Sequence, residues 1–350
     1  MQLIRLQRFI KHYKAKLGIK RKSDDTIKET SQRNFQLLST ANQVPECIEL
    51  FQEVFQESMT KEFWYWKYQP YGMTERGICA IQDEKVIGHY NAMAREILYF
   101  GQPKKALAVG DTMVSPRARG GIRRNSPFYN MAQTWIHLNL GLKKKFSLAY
   151  GFPNHRVMSL AEKVGLYKEV DSITEITWYI KNHSAIMEES VTKYTSSSKN
   201  RFAIQTIWKS MALDFKESII GVRDHSYIKY RYLEHPKYDY SVYLIENNKK
   251  EPYSCFILKK VGNTMLLIDL IAKKDNISAV ISAALHIAEQ NNCDKIKCWI
   301  TTSKANLFDV HSAEAVQTDI SVPTSNITPE FEPIKIKDKW FLMYGDTDFI

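Results

Sequence analysis

Asp111 is the one charged residue in the run Val109-Gly110-Asp111-Thr112-Met113-Val114. A carboxylate in an apolar strand is costly to bury without a partner, and burial moves its pKa upward, toward values useful to a proton acceptor. Two roles fit it: a general base, or a structural acceptor held by a neighbouring arginine or by backbone. His89, which follows Gly88 in another strand-like run, is a second candidate base, with a satisfied structural histidine as its alternative. After Ser115 and Pro116 come Arg117-Ala118-Arg119-Gly120-Gly121-Ile122-Arg123-Arg124, then a helix-forming segment over Phe128 to Leu142. Strand, glycine-rich turn and helix together present free backbone N–H groups to an anion. Arginine guanidiniums have the fork geometry that suits phosphate. A basic surface turn in an ordinary α/β unit is the alternative.

The elements that must position these residues are legible around them. Phe35–Thr40 reads as a strand and Pro45–Met59 as a helix with Ile48, Phe51, Val54 and Phe55 on one face. The aromatic cluster Phe63-Trp64-Tyr65-Trp66-Lys67-Tyr68 ends in Pro70 and Gly72. Trp64, Trp66 and Tyr68 are candidates to wall a pocket for an amine or a sugar, or else core rings. Strands are expected at Gly77–Gln82, Val86–Ala94 and Ile97–Val114, the last interrupted by a turn at Gly101-Gln102-Pro103. Beyond the loop follow a strand at Phe146–Phe152, a helix from Val157 to Val164 with Asn154 as its cap, and a strand at Val170–Ile180.

The Ser/Thr/Lys-rich run Thr195–Asn200 marks a boundary, after which the plan restarts. Tyr230-Arg231-Tyr232-Leu233-Glu234-His235-Pro236 mirrors Trp66-Lys67-Tyr68-Gln69-Pro70, and Asp269 in Leu266–Ile271 mirrors Asp111. A helix (Ile277 to Ala288) and a strand (Lys295 to Ile300) follow as before, but no glycine–arginine loop does. If one copy binds a phosphorylated ligand, it is the first.

The net charge of +11 suggests a polyanion binder until it is located. Residues 1–22 hold eight basic side chains and no acidic one, so the rest of the chain carries only about +3. No nucleic-acid partner is expected. Leu3, Leu6, Ile10, Tyr13 and Leu17 recur at helical spacing within that basic segment, which makes 1–34 a basic amphipathic helix plus linker. Such a helix docks on the body of the protein or lies on an anionic membrane surface. Five scattered cysteines form no CxxC pair, so neither a zinc site nor a disulfide framework is indicated, and no metal is expected. The absence of a long apolar run and of a signal peptide points to the cytoplasm, with peripheral contact at the inner face of the membrane.

Over residues 35–181 the chain resembles the GNAT superfamily of acyl-coenzyme A dependent N-acyltransferases. The residues that carry the resemblance are Trp66-Lys67-Tyr68 with Pro70 and Gly72, Val86-Ile87-Gly88, the strand–loop–helix from Val109, Tyr150-Gly151-Phe152-Pro153-Asn154, and Leu160 to Leu166. Residues 201–350, beyond a 182–200 linker, resemble a degenerate second GNAT-like domain. The resemblance implies an α/β (α+β) fold of two domains, each a mixed, mostly antiparallel twisted sheet flanked by helices. It also implies transfer of an acyl group, acetyl by default, from coenzyme A to a small amine or amino sugar. In that reading Thr112, Met113 and Val114 hold the thioester arm, and Arg119, Gly120, Gly121, Ile122, Arg123, Arg124 and Asn154 bind the cofactor. Asp111 and His89 are then its candidate bases. Two departures stand out: Ile122 occupies a position the family gives to a small residue, and Ala161 replaces the tyrosine of the later helix. Two other readings are a Fem-type aminoacyl transferase, which the near-neutral body disfavours, and a non-catalytic GNAT-like binding protein.

Overall fold

A computed structural model describes residues 35–121, 123–141, 143–182, 190–325 and 331–347. The expected N-terminal amphipathic helix therefore lies outside the described residues, as does Ile122. In chain order the elements are β1 (Gln36–Ser39), α1 (Val44–Phe55), α2 (Lys61–Tyr68), α3 (Met73–Arg76), β2 (Ile78–Gln82), β3 (Lys85–Tyr99), β4 (Gln102–Val114), α4 (Pro127–Asn139), β5 (Leu148–Gly151), α5 (His155–Lys163), β6 (Tyr167–Tyr179) and β7 (Ser190–Lys193). They continue with α6 (Ser198–Asp214), β8 (Ile219–Gly221), α7 (His225–Ile228), β9 (Ser241–Glu246), β10 (Pro252–Val261), β11 (Thr264–Ile271), α8 (Ile277–Gln290), β12 (Lys295–Thr301), β13 (Glu314–Ser325), α9 (Pro333–Ile336) and β14 (Trp340–Phe341).

Among the described residues these strands form two mixed, seven-stranded sheets flanked by helices. The first runs β1-β2-β3-β4-β5, with β8 also pairing β3 and β14 pairing β8; the second runs β13-β6-β12-β11-β10-β9-β7. Most pairings are antiparallel, with parallel ones at β4–β5, β8–β14 and β11–β12. The chain divides into two compact units, residues 1–92 with 111–138 and residues 93–110 with 139–350, so β3 and β4 each contribute to both. The first unit buries Cys47, Leu50 and Phe51 of α1, Trp64 and Tyr68 of α2, Ile78, Tyr90 and Trp135. The second has a larger core from α6, α8 and the strands of the second sheet, including Trp178, Phe256, Leu267 and Ile281.

Three local features differ from expectation. The strand break sits at Phe100 and Gly101, with φ of 48° and 75°, and Arg95 and Glu96 continue β3. Two successive left-handed residues make the tight hairpin turn, which starts one residue before the expected Gly101-Gln102-Pro103. The serine-rich run already starts α6 at Ser198, because Ser197 caps it by accepting from the Asn200 N–H at 3.2 Å. β6 pairs with β12 and β13 in the second sheet. No helix of the described residues is long and apolar enough to cross a membrane.

Candidate active site

Within β4, Asp111 has φ of +45°, a left-handed conformation that short polar side chains tolerate better than most. Three buried groups hold it there. Lys67 donates from Nζ to its Oδ2 at 2.7 Å, Tyr68 donates from Oη to the same oxygen at 2.5 Å, and His89 Nδ1 lies 2.8 Å from its main-chain oxygen. Lys67, Tyr68 and His89 are all at most 2% exposed. Lys67 and Tyr68 reach one carboxylate because they are neighbours in the last turn of α2, whose start is fixed by Thr60 accepting from the Phe63 N–H at 3.1 Å. Trp64, one turn earlier, packs on Tyr68 and on the His89 ring, with centroids 4.8 and 5.0 Å apart.

This geometry corrects the expected charge state. Burial pushes the Asp111 carboxyl up, but the Lys67 ammonium and the hydrogen bonds from Lys67 and Tyr68 pull it down further, so its pKa falls below the usual carboxylate value. The aspartate is alone in its strand and not in space. Burial pushes the His89 imidazole down to about 4, despite its bond to the Asp111 carbonyl and the nearby carboxylate. The ring is therefore neutral at pH 7, and its Nε2 is buried without a hydrogen-bond partner among the described residues.

A pH dependence follows. The folded pKa of His89 lies below the unfolded value near 6.5, so its full contribution to stability is present above pH 6.5 and is lost as pH falls through the folded value. Between pH 7 and pH 5 this amounts to about 2 kcal/mol. His89→Asn keeps a donor near the Asp111 carbonyl and removes the titration. Urea unfolding at the two pH values should show a stability loss smaller by that amount in the variant; equal losses would mean that His89 is not held neutral.

The second unit contains the same device. Tyr232 donates to Asp269 Oδ2 at 2.7 Å, as Tyr68 does to Asp111, and Arg223 Nε donates to Asp269 Oδ1 at 2.8 Å. A register shift places an extra residue next to Asp269, since Ile257 pairs with Asp269 and Leu258 with Leu267. The parallel pairings match too. β4–β5 covers Ala106–Val109 with Leu148–Gly151, and β11–β12 covers Thr264–Leu267 with Lys295–Cys298. Each ends two residues before its aspartate. The mirrored motifs thus correspond in space as well as in sequence.

The two halves differ in what comes next. Arg231, the counterpart of Lys67, turns away from Asp269 and donates to the main-chain oxygens of Gly345 and Thr347 at 3.1 and 2.9 Å. The buried segment Trp340–Thr347 lies along the end of β12. Thr301 N donates to Leu342 O at 3.1 Å, Ile300 bridges Met343, and Asp346 is held by Arg223 and Arg95. The chain's own C-terminal segment therefore takes up the strand end beside Asp269.

Beside Asp111 the chain instead enters the glycine–arginine loop. Ser115 N donates to Ile87 O at 2.8 Å, Pro116–Ala118 form a single 3-10 turn, and Arg119 Nε donates back to Val114 O at 3.0 Å. Gly121 has φ of 79° and so favours glycine, while nothing lies within 4 Å of where a Cβ would sit on Gly120 or Gly121. Arg119, Arg123 and Arg124 are exposed, and none forms an ion pair with the described residues. Ser126 caps α4 by accepting from the Tyr129 N–H at 3.2 Å, which fixes where the loop meets the helix.

The other sequence candidates disperse. Trp64 and Tyr68 are fully buried, and Trp66 is half-buried against Phe63 at 5.6 Å. Met113 is buried, with Thr112 and Val114 partly exposed on either side of it. Asn154 caps α5, accepting from the Val157 N–H at 2.9 Å, and belongs to the second unit. Lys67 is the site residue that sequence reasoning passed over; the signal was its place beside Tyr68 in the repeated motif. Among the described residues no group of three or more His, Cys, Asp or Glu is arranged to hold a metal.

Residues 38–125 match the family model of the acetyltransferase (GNAT) domain, a span that contains Lys67, Tyr68, His89, Asp111 and the loop. Over that span the chain is similar to a GNAT acetyltransferase domain. Its fold is similar to that of a conserved protein of Enterococcus faecalis V583 (TM-score 0.63, 12% identity, 83% of this chain and 71% of that one). It is also similar to a GCN5-related N-acetyltransferase from Kribbella flavida (0.60, 12%, 84% and 72%). The Saccharomyces cerevisiae N-myristoyltransferase with bound myristoyl-CoA is similar over 94% of this chain and 92% of its own (0.56, 11%). At these identities the likeness is one of fold. No curated protein sequence matches.

Proposed function

We propose that the protein is an acyl-coenzyme A dependent N-acyltransferase. Residues 35–181 form the acyltransferase domain, and 201–350 form a degenerate GNAT-like domain that takes no acyl donor. One observation carries this reading: the pinned left-handed residue Asp111 leads into a loop whose Arg119, Arg123 and Arg124 are exposed and form no ion pair with the described residues, within the span that matches the GNAT model. The exposed guanidiniums of Arg123 and Arg124 and the open space at Gly120 and Gly121 suit a diphosphate, and the groups of Thr112–Val114 suit an extended arm lying along a strand. In the second half, the C-terminal segment occupies the corresponding strand end and the loop is missing.

Coenzyme A supplies the acyl group as a thioester, with acetyl the default. The acceptor amine forms a bond to the acyl carbon, the carbon–sulfur bond breaks, and the thiolate takes up a proton as the amine gives one off. A small amine or an amino sugar fits this chemistry. Asp111 and His89, buried and held together, act here as positioning residues that fix the left-handed turn of the strand at Asp111 and so aim the N–H groups after it. The duplicated Tyr232–Asp269 pair, in a half without the loop, supports that role over proton transfer. Of the three aromatic candidates, Trp66 keeps enough exposure to meet an acceptor.

Thiol release from acetyl-coenzyme A in the presence of a panel of small amines and amino sugars tests the proposal. Amine-dependent release above the hydrolysis rate is expected for at least one of them. A second reading, a GNAT-like binding protein without turnover, is favoured by the burial of both candidate bases. It would be established by saturable binding of the donor with no release across the panel.

A further inference from the structure

Cys47 and Cys79 are both fully buried in the first unit, and their sulfurs lie 3.1 Å apart. Cys47 stands on the inward stripe of α1 with Val44, Leu50 and Phe51, and Cys79 is the central residue pairing Leu38 of β1 and His89 of β3. The two thiols come from elements separated by 32 positions, and among the described residues no other cysteine sulfurs touch. Two sulfurs at this distance are inside van der Waals contact, and a closing motion of about 1 Å would bring them to bonding distance.

We propose that Cys47 and Cys79 form a reversible disulfide that fastens α1 to β2 when the protein meets a peroxide. One thiol reduces the peroxide, its sulfur taking an oxygen as the O–O bond breaks and one water leaves. The second thiol attacks that sulfenic sulfur, the S–S bond forms, and a second water departs, so two thiols and one peroxide give one disulfide and two waters. The Cys47 contact, and burial after it, push the Cys79 thiol up and keep it protonated, which slows its reaction with peroxide. α1 also carries Glu53, which accepts from Ser115 Oγ at 3.0 Å and lies 3.7 Å from the Arg117 guanidinium. Fastening α1 therefore also restrains the start of the glycine–arginine loop.

Full-length protein treated with hydrogen peroxide, then alkylated under denaturing conditions and mapped by mass spectrometry, reads the result directly. The expected outcome is a Cys47–Cys79 linked peptide, loss of two alkylatable thiols out of five, and a rise of the thermal midpoint that dithiothreitol reverses. Cys47→Ala should abolish the linked peptide and the rise together. Five intact thiols after treatment would overturn the proposal. So would a disulfide joining other cysteines, or sulfinic acid at Cys47 or Cys79 in place of the bond.

Discussion

Lys67→Met is expected to destabilise the protein by about 3–5 kcal/mol, because it strands a carboxylate in an interior built around its partner. Asp111 and Lys67 are 9% and 2% exposed, so solvent does not take over the lost interaction. Methionine keeps the length of the lysine stem, and the loss is electrostatic rather than a cavity. Tyr68 would still donate to Oδ2, but one neutral hydrogen bond does not replace an ammonium at 2.7 Å. The double variant Lys67→Met/Asp111→Asn removes both charges and should recover much of the loss, since neutral residues of similar shape replace buried ion pairs at little cost. Urea unfolding of the two singles and the double gives the coupling. A fully additive double variant would contradict the buried pair.

Gly345→Ala should be as damaging in the second unit, for a steric reason. A Cβ there would lie 2.0 Å from Tyr232 Oη, 3.0 Å from Asp269 Oδ2 and 3.2 Å from Asp269 Cβ. The tyrosine hydroxyl cannot retreat without giving up its bond to Asp269, and Asp269 is itself held by Arg223. Overpacking of this kind costs about 1–3 kcal/mol, and the broken Tyr232–Asp269 bond leaves a buried acceptor short of a donor, about 1–3 kcal/mol more. Gly120→Ala is the control: with nothing within 4 Å and no positive φ, it should leave thermal stability unchanged. A Gly345→Ala midpoint equal to that of the wild type would mean that the C-terminal segment is not seated against Asp269.

The fold was largely legible because its signals are local. Strand alternation and the Asn154 cap announce themselves within a dozen residues, and most elements fall within a few positions of where the pattern puts them. The buried face of α1, however, is Val44, Cys47, Leu50 and Phe51; of the expected Ile48, Phe51, Val54 and Phe55 only Phe51 is fully buried, and Phe55 is exposed. The turn expected at Gly101-Gln102-Pro103 starts one residue earlier, because Phe100, a bulky apolar residue, takes a left-handed position that usually signals itself with glycine or asparagine, and the strand break expected before Ile97 does not occur. The site was less legible because its decisive contact is not local. Nothing near Asp111 in the chain reveals that Lys67, 44 positions earlier, neutralises it, and so the carboxyl shifts down where its strand alone argues for a shift up. The repeat held the missing information. A base beside a tyrosine, followed some forty residues later by an aspartate in an apolar strand, occurs in both halves, and each Tyr–Asp couple is a hydrogen bond. A residue pattern shared with the half that lacks the loop is better read as architecture than as chemistry.

The central claim is that the first half, through its glycine–arginine loop, binds the acyl donor. Calorimetric titration of the full-length protein with acetyl-coenzyme A tests it most directly, with Arg123→Ala/Arg124→Ala alongside. The account predicts saturable one-site binding weakened at least about tenfold in the double variant, whose thermal midpoint should match the wild type because neither arginine forms an ion pair with the described residues. No binding by the wild type at millimolar ligand, or equal binding by the double variant, would contradict it.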